Sequence, residues 1–190
     1  PQILTAFARL PDGSEVPASF TGDQAEGGVG YFDFDTPLPA GNATLVISYE
    51  APYNFGLAGL YKVTQGGKDY LATQMEAIDA RRMLPSFDEP RFKTPWVLTV
   101  TAPDGLKVVA NAAEREARPL GDGWTEHEFL PTRPIQSYLL ALAVGPYDEV
   151  EGEFIATAPG RPAPIPLRAF AAEGKGEKLA DALAITDDIL

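Results

Sequence analysis

The 190-residue chain has no cysteine and one histidine, His127. Without cysteine there is no disulfide framework and no thiolate metal site, and the redox compartment stays open. With one histidine, a zinc site built by this chain alone would need mostly carboxylate ligands, an uncommon donor set. His127 is followed by Glu128, but Pro131 stands where an HExxH helix would place its second histidine, so the pair is not a zinc motif and reads as an exposed or half-buried sheet residue. A Ser-His-Asp triad would have to use His127 and lacks a Gly-x-Ser-x-Gly elbow. Basic residues are few: 15 against 27 acidic ones give a formal charge of −12. That balance opposes binding to nucleic acid or to an anionic membrane surface, and makes a cationic ligand the better electrostatic match. Long apolar runs are missing too. The longest, Tyr138 to Val144, is far too short to cross a bilayer, and no basic-then-apolar leader opens the chain, so any export signal would lie upstream of Pro1. A soluble protein is expected, cytoplasmic or periplasmic, with no residue choosing between the two.

What is abundant is turn chemistry. Eighteen glycines and eighteen prolines punctuate short extended segments, a pattern of antiparallel β-structure rather than of alternating strands and helices. Thr44 to Tyr49 alternates, with Leu45, Ile47 and Tyr49 on one face, as a half-buried strand does. Trp96 to Ala102 alternates likewise before a Pro103-Asp104-Gly105 turn. Ile3 to Leu10, Lys107 to Ala110, Trp124 to Phe129, Tyr147 to Ala156 and Ile165 to Phe170 also read as extended. Ser137 to Val144 is apolar on both faces, which suggests a central strand. Gly27-Gly28 and Gly66-Gly67 are hairpin candidates without the lysine and hydroxyl of a phosphate loop. Glu177 to Leu190 carries Leu179, Ala182, Leu183 and Ile189 at helical spacing. Residues 1–170 are expected to form one β-sandwich domain, and 171–190 the helical start of the next. Ala156 to Pro166, rich in proline and glycine, is a candidate hinge.

The densest chemistry lies in Thr73 to Lys93. Gln74 and Glu76 are two residues apart at the end of a strand-like run, so their side chains share one face of an extended backbone. On spacing alone, Glu76 reads sooner as an ordinary exposed strand carboxylate than as a binding residue. Asp79, Arg81 and Arg82 read as a structural set, the guanidinium groups tying down an irregular segment through the acid. Asp88-Glu89-Pro90 reads as a turn, with Asp88 capping local N–H groups. Tyr61, Tyr70, Phe87 and Phe92 read as core aromatics.

Gln74-Met-Glu-Ala-Ile-Asp-Ala-Arg-Arg82, then Leu84-Pro-Ser-Phe-Asp-Glu-Pro-Arg-Phe-Lys93, and finally Pro131 to Tyr147, resemble in order and spacing the N-terminal domain of zinc aminopeptidases of the aminopeptidase N type. The recognisable blocks span roughly Ala58 to Glu153, judged by motif context. The first fifty or so residues match only in β character. The resemblance implies a mainly β fold, a saddle-shaped antiparallel β-sandwich that packs on a thermolysin-like catalytic domain of the same chain. That domain carries GAMEN and HExxH sequences, which this chain lacks. It further implies a zinc cofactor in the full-length enzyme, none bound by this fragment, peptide N-termini as partners, and no catalytic residue here. By position, Glu76 corresponds to the carboxylate that receives the substrate's α-ammonium group, and Gln74 to a polar residue lining the first side-chain pocket. Met75, expected with them as a substrate-binding residue, stands where relatives often have an aromatic residue or cysteine, Ala77 where many have proline, and Ser86 where cysteine is common.

The physical logic is independent of the family. An exopeptidase must tell a chain terminus from an internal peptide bond, and the terminus differs by one positive charge with three N–H donors. A carboxylate facing it contributes about 1.5–3 kcal/mol when partly desolvated, and a neutral, acylated terminus would leave that anion unpaired. Two other readings stand beside this one: a noncatalytic β-sandwich scaffold for protein interaction, and an independent carbohydrate- or protein-binding module whose resemblance to the peptidase domain is coincidental.

Overall fold

A computed structural model describes residues 1–22, 28–153, 157 and 163–189. Its strands are β1 (Gln2–Arg9), β2 (Glu15–Gly22), β3 (Gly30–Phe34), β4 (Thr44–Glu50), β5 (Gly59–Gln65), β6 (Lys68–Gln74), β7 (Thr99–Pro103), β8 (Lys107–Ala110), β9 (Glu114–Gly121), β10 (Trp124–Phe129), β11 (Leu142–Gly145), β12 (Tyr147–Glu151) and β13 (Arg168–Ala172). They form antiparallel sheets in the orders β3-β2-β1-β4, β7-β10-β9, β5-β6-β11-β8 and β12-β13. The mainly β, antiparallel fold expected from the sequence is the one observed.

Two of these sheets meet face to face. Ala102 of β7 packs with Leu142 and Val144 of β11, and around them lie Leu71, Met83, Val100, Leu106 and Val108. Burying a leucine or valine side chain fully contributes about 1.5–3 kcal/mol, so Leu142 and Val144, with the partly buried residues around them, hold this seam together. β11 lies between β6 and β8, the central position its two apolar faces require. It is shorter than the apolar run. Ser137–Leu139 forms a 3-10 turn, and Asn111 blocks extension of the ladder, its Nδ2 donating to Leu139 O at 2.9 Å and its Oδ1 accepting from Ala141 N at 2.6 Å.

Other boundaries shift for similar reasons. Trp96 to Leu98 stays outside β7 because its backbone bonds to a neighbouring irregular segment: Trp96 N donates to Thr132 Oγ1 at 3.0 Å, and Thr132 N donates to Trp96 O at 2.9 Å. β13 ends at Ala172 rather than Phe170. Asp148 of β12 then accepts from Lys175 N and Gly176 N, both at 2.8 Å, which caps a 3-10 turn at Gly176–Leu179. That turn leads into helix α1, Ala180–Ile189, which carries Ala182, Leu183 and Ile189 of the helically spaced apolar set. Gly27, most of the candidate hinge and Leu190 lie outside the described residues.

Two expected core aromatics are not core. Phe87 is 79% exposed and Phe92 40%. The two rings pair at 5.4 Å between centroids, and Arg91 lies over Phe92. Their segment carries Asp88 inward instead, which leaves the flanking rings outside. Tyr70 is buried and Tyr61 half-buried, as expected.

Candidate functional site

The segment from Thr73 to Lys93 begins on a regular strand. β5 and β6 form a tight hairpin through Gly66 and Gly67, with Gly59 opposite Gln74. Both turn glycines have positive φ, +59° and +77°, a conformation that costs glycine little. β6 ends at Gln74, and burial alternates over the three residues from there: Gln74 exposed, Met75 buried at 1% exposure, Glu76 exposed. Gln74 and Glu76 thus both reach the surface, while Met75 between them packs inward and anchors the chain. The chain then turns, with a cis peptide between Glu76 and Ala77 and Asp79 N donating to Met75 O at 2.9 Å.

A 3-10 turn at Ala80–Arg82 follows, and its Ala80 is fully buried. It folds back on the strand that carries Gln74's partner. Gly59 has φ +66°, and a Cβ placed there would lie 3.0 Å from Arg82 Cβ. The close approach and the left-handed backbone both select glycine at this position. Glu76 therefore projects from a short span held at both ends by buried side chains.

The carboxylates of the segment divide into two kinds. Asp79 Oδ1 accepts from Arg82 Nε at 2.5 Å. Asp88 is 7% exposed. Its Oδ2 accepts from Arg81 Nε at 2.9 Å and from Arg81 N at 3.3 Å, and its Oδ1 accepts from Ser137 Oγ at 2.5 Å. Glu76 differs: among the described residues its carboxylate makes no side-chain hydrogen bond or ion pair, and neither does the Gln74 amide. Asp79 pairs with Arg82 as expected, but Arg81 bonds Asp88 rather than Asp79, so the two guanidinium groups tie the segment down through separate acids. Asp88 corrects its expected role. It is a buried junction between distant segments, while the turn itself is closed by Phe92 N donating to Glu89 O at 2.9 Å. No sequence pattern links Asp88 to Ser137, 49 positions away, so spacing could not have found the pair. Ser86 Oγ is buried with no hydrogen-bond partner among the described residues.

The donor set does not suit zinc. His127 is half-buried on β10 with Nδ1 2.6 Å from Glu114 Oε1, and among the described residues no group of three or more His, Asp or Glu is gathered to hold a metal ion. Among those residues, too, no helix is long and apolar enough to cross a membrane.

Comparison with known proteins agrees with this layout. Residues 4–139 match the profile of the Peptidase M1 N-terminal domain, which reaches back over the first fifty residues, where sequence reading found only β character. Aminopeptidase N of Acetobacter pasteurianus is 34% identical over 162 residues, covering 83% of this chain and 43% of that protein. Aminopeptidase N of Rattus norvegicus is 35% identical over 145 residues, 70% of this chain and 14% of that protein. Aminopeptidase N of Streptomyces lividans is 40% identical over 119 residues, 62% of this chain and 13% of that protein. The chain thus spans less than half the length of these relatives. With that match and a β-sandwich carrying the motif segment at its surface, the chain belongs to the M1 peptidase family and is an N-terminal domain of the aminopeptidase N type.

Proposed function

We propose that this domain anchors the free N-terminus of a peptide for a metallo-aminopeptidase, with Glu76 receiving the α-ammonium group and Gln74 lining the pocket for the first side chain. The observation that carries the reading is the idle carboxylate. Asp79 and Asp88 are engaged by Arg82, Arg81 and Ser137, whereas Glu76 is exposed and without a side-chain partner among the described residues. An anion held on a pinned turn and left unneutralised by its own fold is suited to a cation from outside. Met75, buried beneath the pair, would set the height of the pocket floor rather than meet the ligand's charge.

Bond cleavage would come from the remainder of the longer protein, including the zinc that the resemblance implies, since the donors present here do not suit that ion. The expected boundary at 170 falls inside β13, Arg168–Ala172, so the anchoring domain would run to Ala172 and the residues after it, with helix α1, would lead into the next domain. Phe55, Leu57, Ile78 and Phe87 are 57–81% exposed, apolar surface of the kind that a neighbouring domain covers. The same surface would serve a noncatalytic scaffold, the second reading. Membership of the family removes the third, a coincidental binding module.

Glu76→Gln in the full-length protein tests the anchor. Losing a charge-assisted bond of about 1.5–3 kcal/mol should raise KM for unblocked aminoacyl substrates by roughly 10- to 150-fold, with bound zinc retained. Unchanged kinetics would refute the anchor role, and a full-length protein with no peptidase activity would favour the scaffold.

A further inference from the structure

The buried acid in this segment has a use that the anchor alone does not explain. We propose that Asp88 is a positioning residue for Glu76, holding the turn that carries it by way of Arg81 and being held in turn by Ser137; this rests on the reading of Glu76 as the ammonium receptor. Burying a carboxylate is unfavourable unless its lone pairs are satisfied. Here both oxygens are used, by three donors from two segments: Arg81 Nε and N on Oδ2, Ser137 Oγ on Oδ1. Ser137 is 2% exposed, so water does not compete for the shared bond.

The chain path makes Arg81 the connection. It sits in the 3-10 turn whose first residue, Ala80, is fully buried, five positions after Glu76. That turn is closed by Met83 N and Leu84 N donating to Ala80 O at 2.9 and 3.0 Å. The charge-assisted bond to Asp88 pulls this turn toward the segment at Ser137, and Met75 fixes the other end of the span. Displacement of a few tenths of an ångström at Arg81 is carried along five covalently linked residues to Glu76. A carboxylate suits the junction because it accepts on both oxygens. An asparagine in its place is neutral: with Oδ1 turned to Arg81 and Nδ2–H donating to the Ser137 hydroxyl it keeps the contacts but loses the charge-assisted bond that holds the turn.

The test is a cycle in the full-length enzyme, with KM and kcat measured on an unblocked aminoacyl substrate for Asp88→Asn, Glu76→Gln and the double variant. Asp88→Asn should raise KM about tenfold, within the range of couplings between connected residues, with kcat kept within about twofold. In the Glu76→Gln background the same change should add nothing to KM. An unchanged KM for Asp88→Asn, a loss confined to kcat, or an equal rise in both backgrounds would overturn the positioning role while leaving Glu76 as the receptor. If Glu76→Gln alone leaves KM unaltered, the underlying reading falls and this proposal with it. Should Asp88→Asn fail to fold, Ser137→Ala removes one bond and leaves Arg81 paired. It should raise KM about threefold in the Glu76 background only, and the same rise in both backgrounds would overturn the proposal.

Discussion

Lys107 Nζ lies 2.8 Å from Glu149 Oε2, an ion pair that ties strand β8 of the sandwich to the β12-β13 hairpin. Arg168 reaches the other carboxylate oxygen at 3.2 Å, so one acid joins three strands. Lys68 of β6 and Glu173 form a further pair on the same side, and Tyr147 Oη donates to Leu71 O at 3.3 Å. The hairpin is therefore fastened to the sandwich by ionic and hydrogen-bonded contacts.

Those contacts make a pH-dependent contribution to stability. The Glu149 carboxyl is held below its ordinary value, chiefly by the hydrogen bond from Lys107, against a smaller opposing effect of burial. A folded-state pKa below the unfolded one means that the stabilisation is present above the unfolded value and is lost as pH falls through the folded one. Glu149→Gln should thus cost less than about 1 kcal/mol near neutral pH, because both cations are half exposed and screened. The cost should fade as pH falls below the ordinary glutamate value of 4.5 and through the lower folded-state one. Denaturant midpoints of both forms at neutral and acid pH measure this, and a difference of the same size at both would count against it.

Ser86 gives a prediction of opposite sign. Its hydroxyl is buried and unpaired among the described residues, and leaving a polar group so costs about 1–3 kcal/mol. Ser86→Ala removes that cost along with one small atom, and Ser86→Cys fills the same space with a weakly polar sulfur. Either variant should raise the stability of the domain by about 1 kcal/mol or leave it slightly higher. Thermal melts of the three forms side by side would decide, with a clear drop for both variants contradicting the burial argument.

How far the fold could be read in advance depended on whether a strand has one buried face. β4 and β10 show period-two alternation in their residues and were legible for that reason. β9 was not: all eight of its residues are exposed, so no hydrophobic pattern marks it. It is held by its ladder to β10 and by surface pairs such as Arg118 with Glu126 at 2.6 Å. At the candidate site the two-residue spacing of Gln74 and Glu76 was enough to put them on one face, and the structure adds which face: both are exposed and Met75 between them is buried. The burial of Asp88 did not, because its partner Ser137 comes from a segment that only tertiary folding brings near. Phe87 and Phe92 failed as core residues for a related reason: aromatic identity suggests burial, but the inward turn of Asp88 leaves its neighbours outside.

The chemistry of the donors leads to a last expectation for the 190-residue chain on its own. Tight zinc sites draw on histidine and cysteine supported by carboxylates. This chain has one histidine and no cysteine, and that histidine sits in a β-ladder with its Nδ1 bonded to Glu114, with no group of three metal-binding side chains gathered among the described residues. A charge of −12 will attract divalent cations to the surface, but diffuse attraction is screened by salt and gives no stoichiometric site. The isolated chain should therefore emerge from dialysis at moderate salt with well under one zinc per molecule, and should not cleave aminoacyl amides when zinc is restored. One tightly held zinc per chain in metal analysis, or turnover on adding it, would mean that carboxylates of this domain assemble a metal centre, and would move bond cleavage into the domain to which we assign only anchoring.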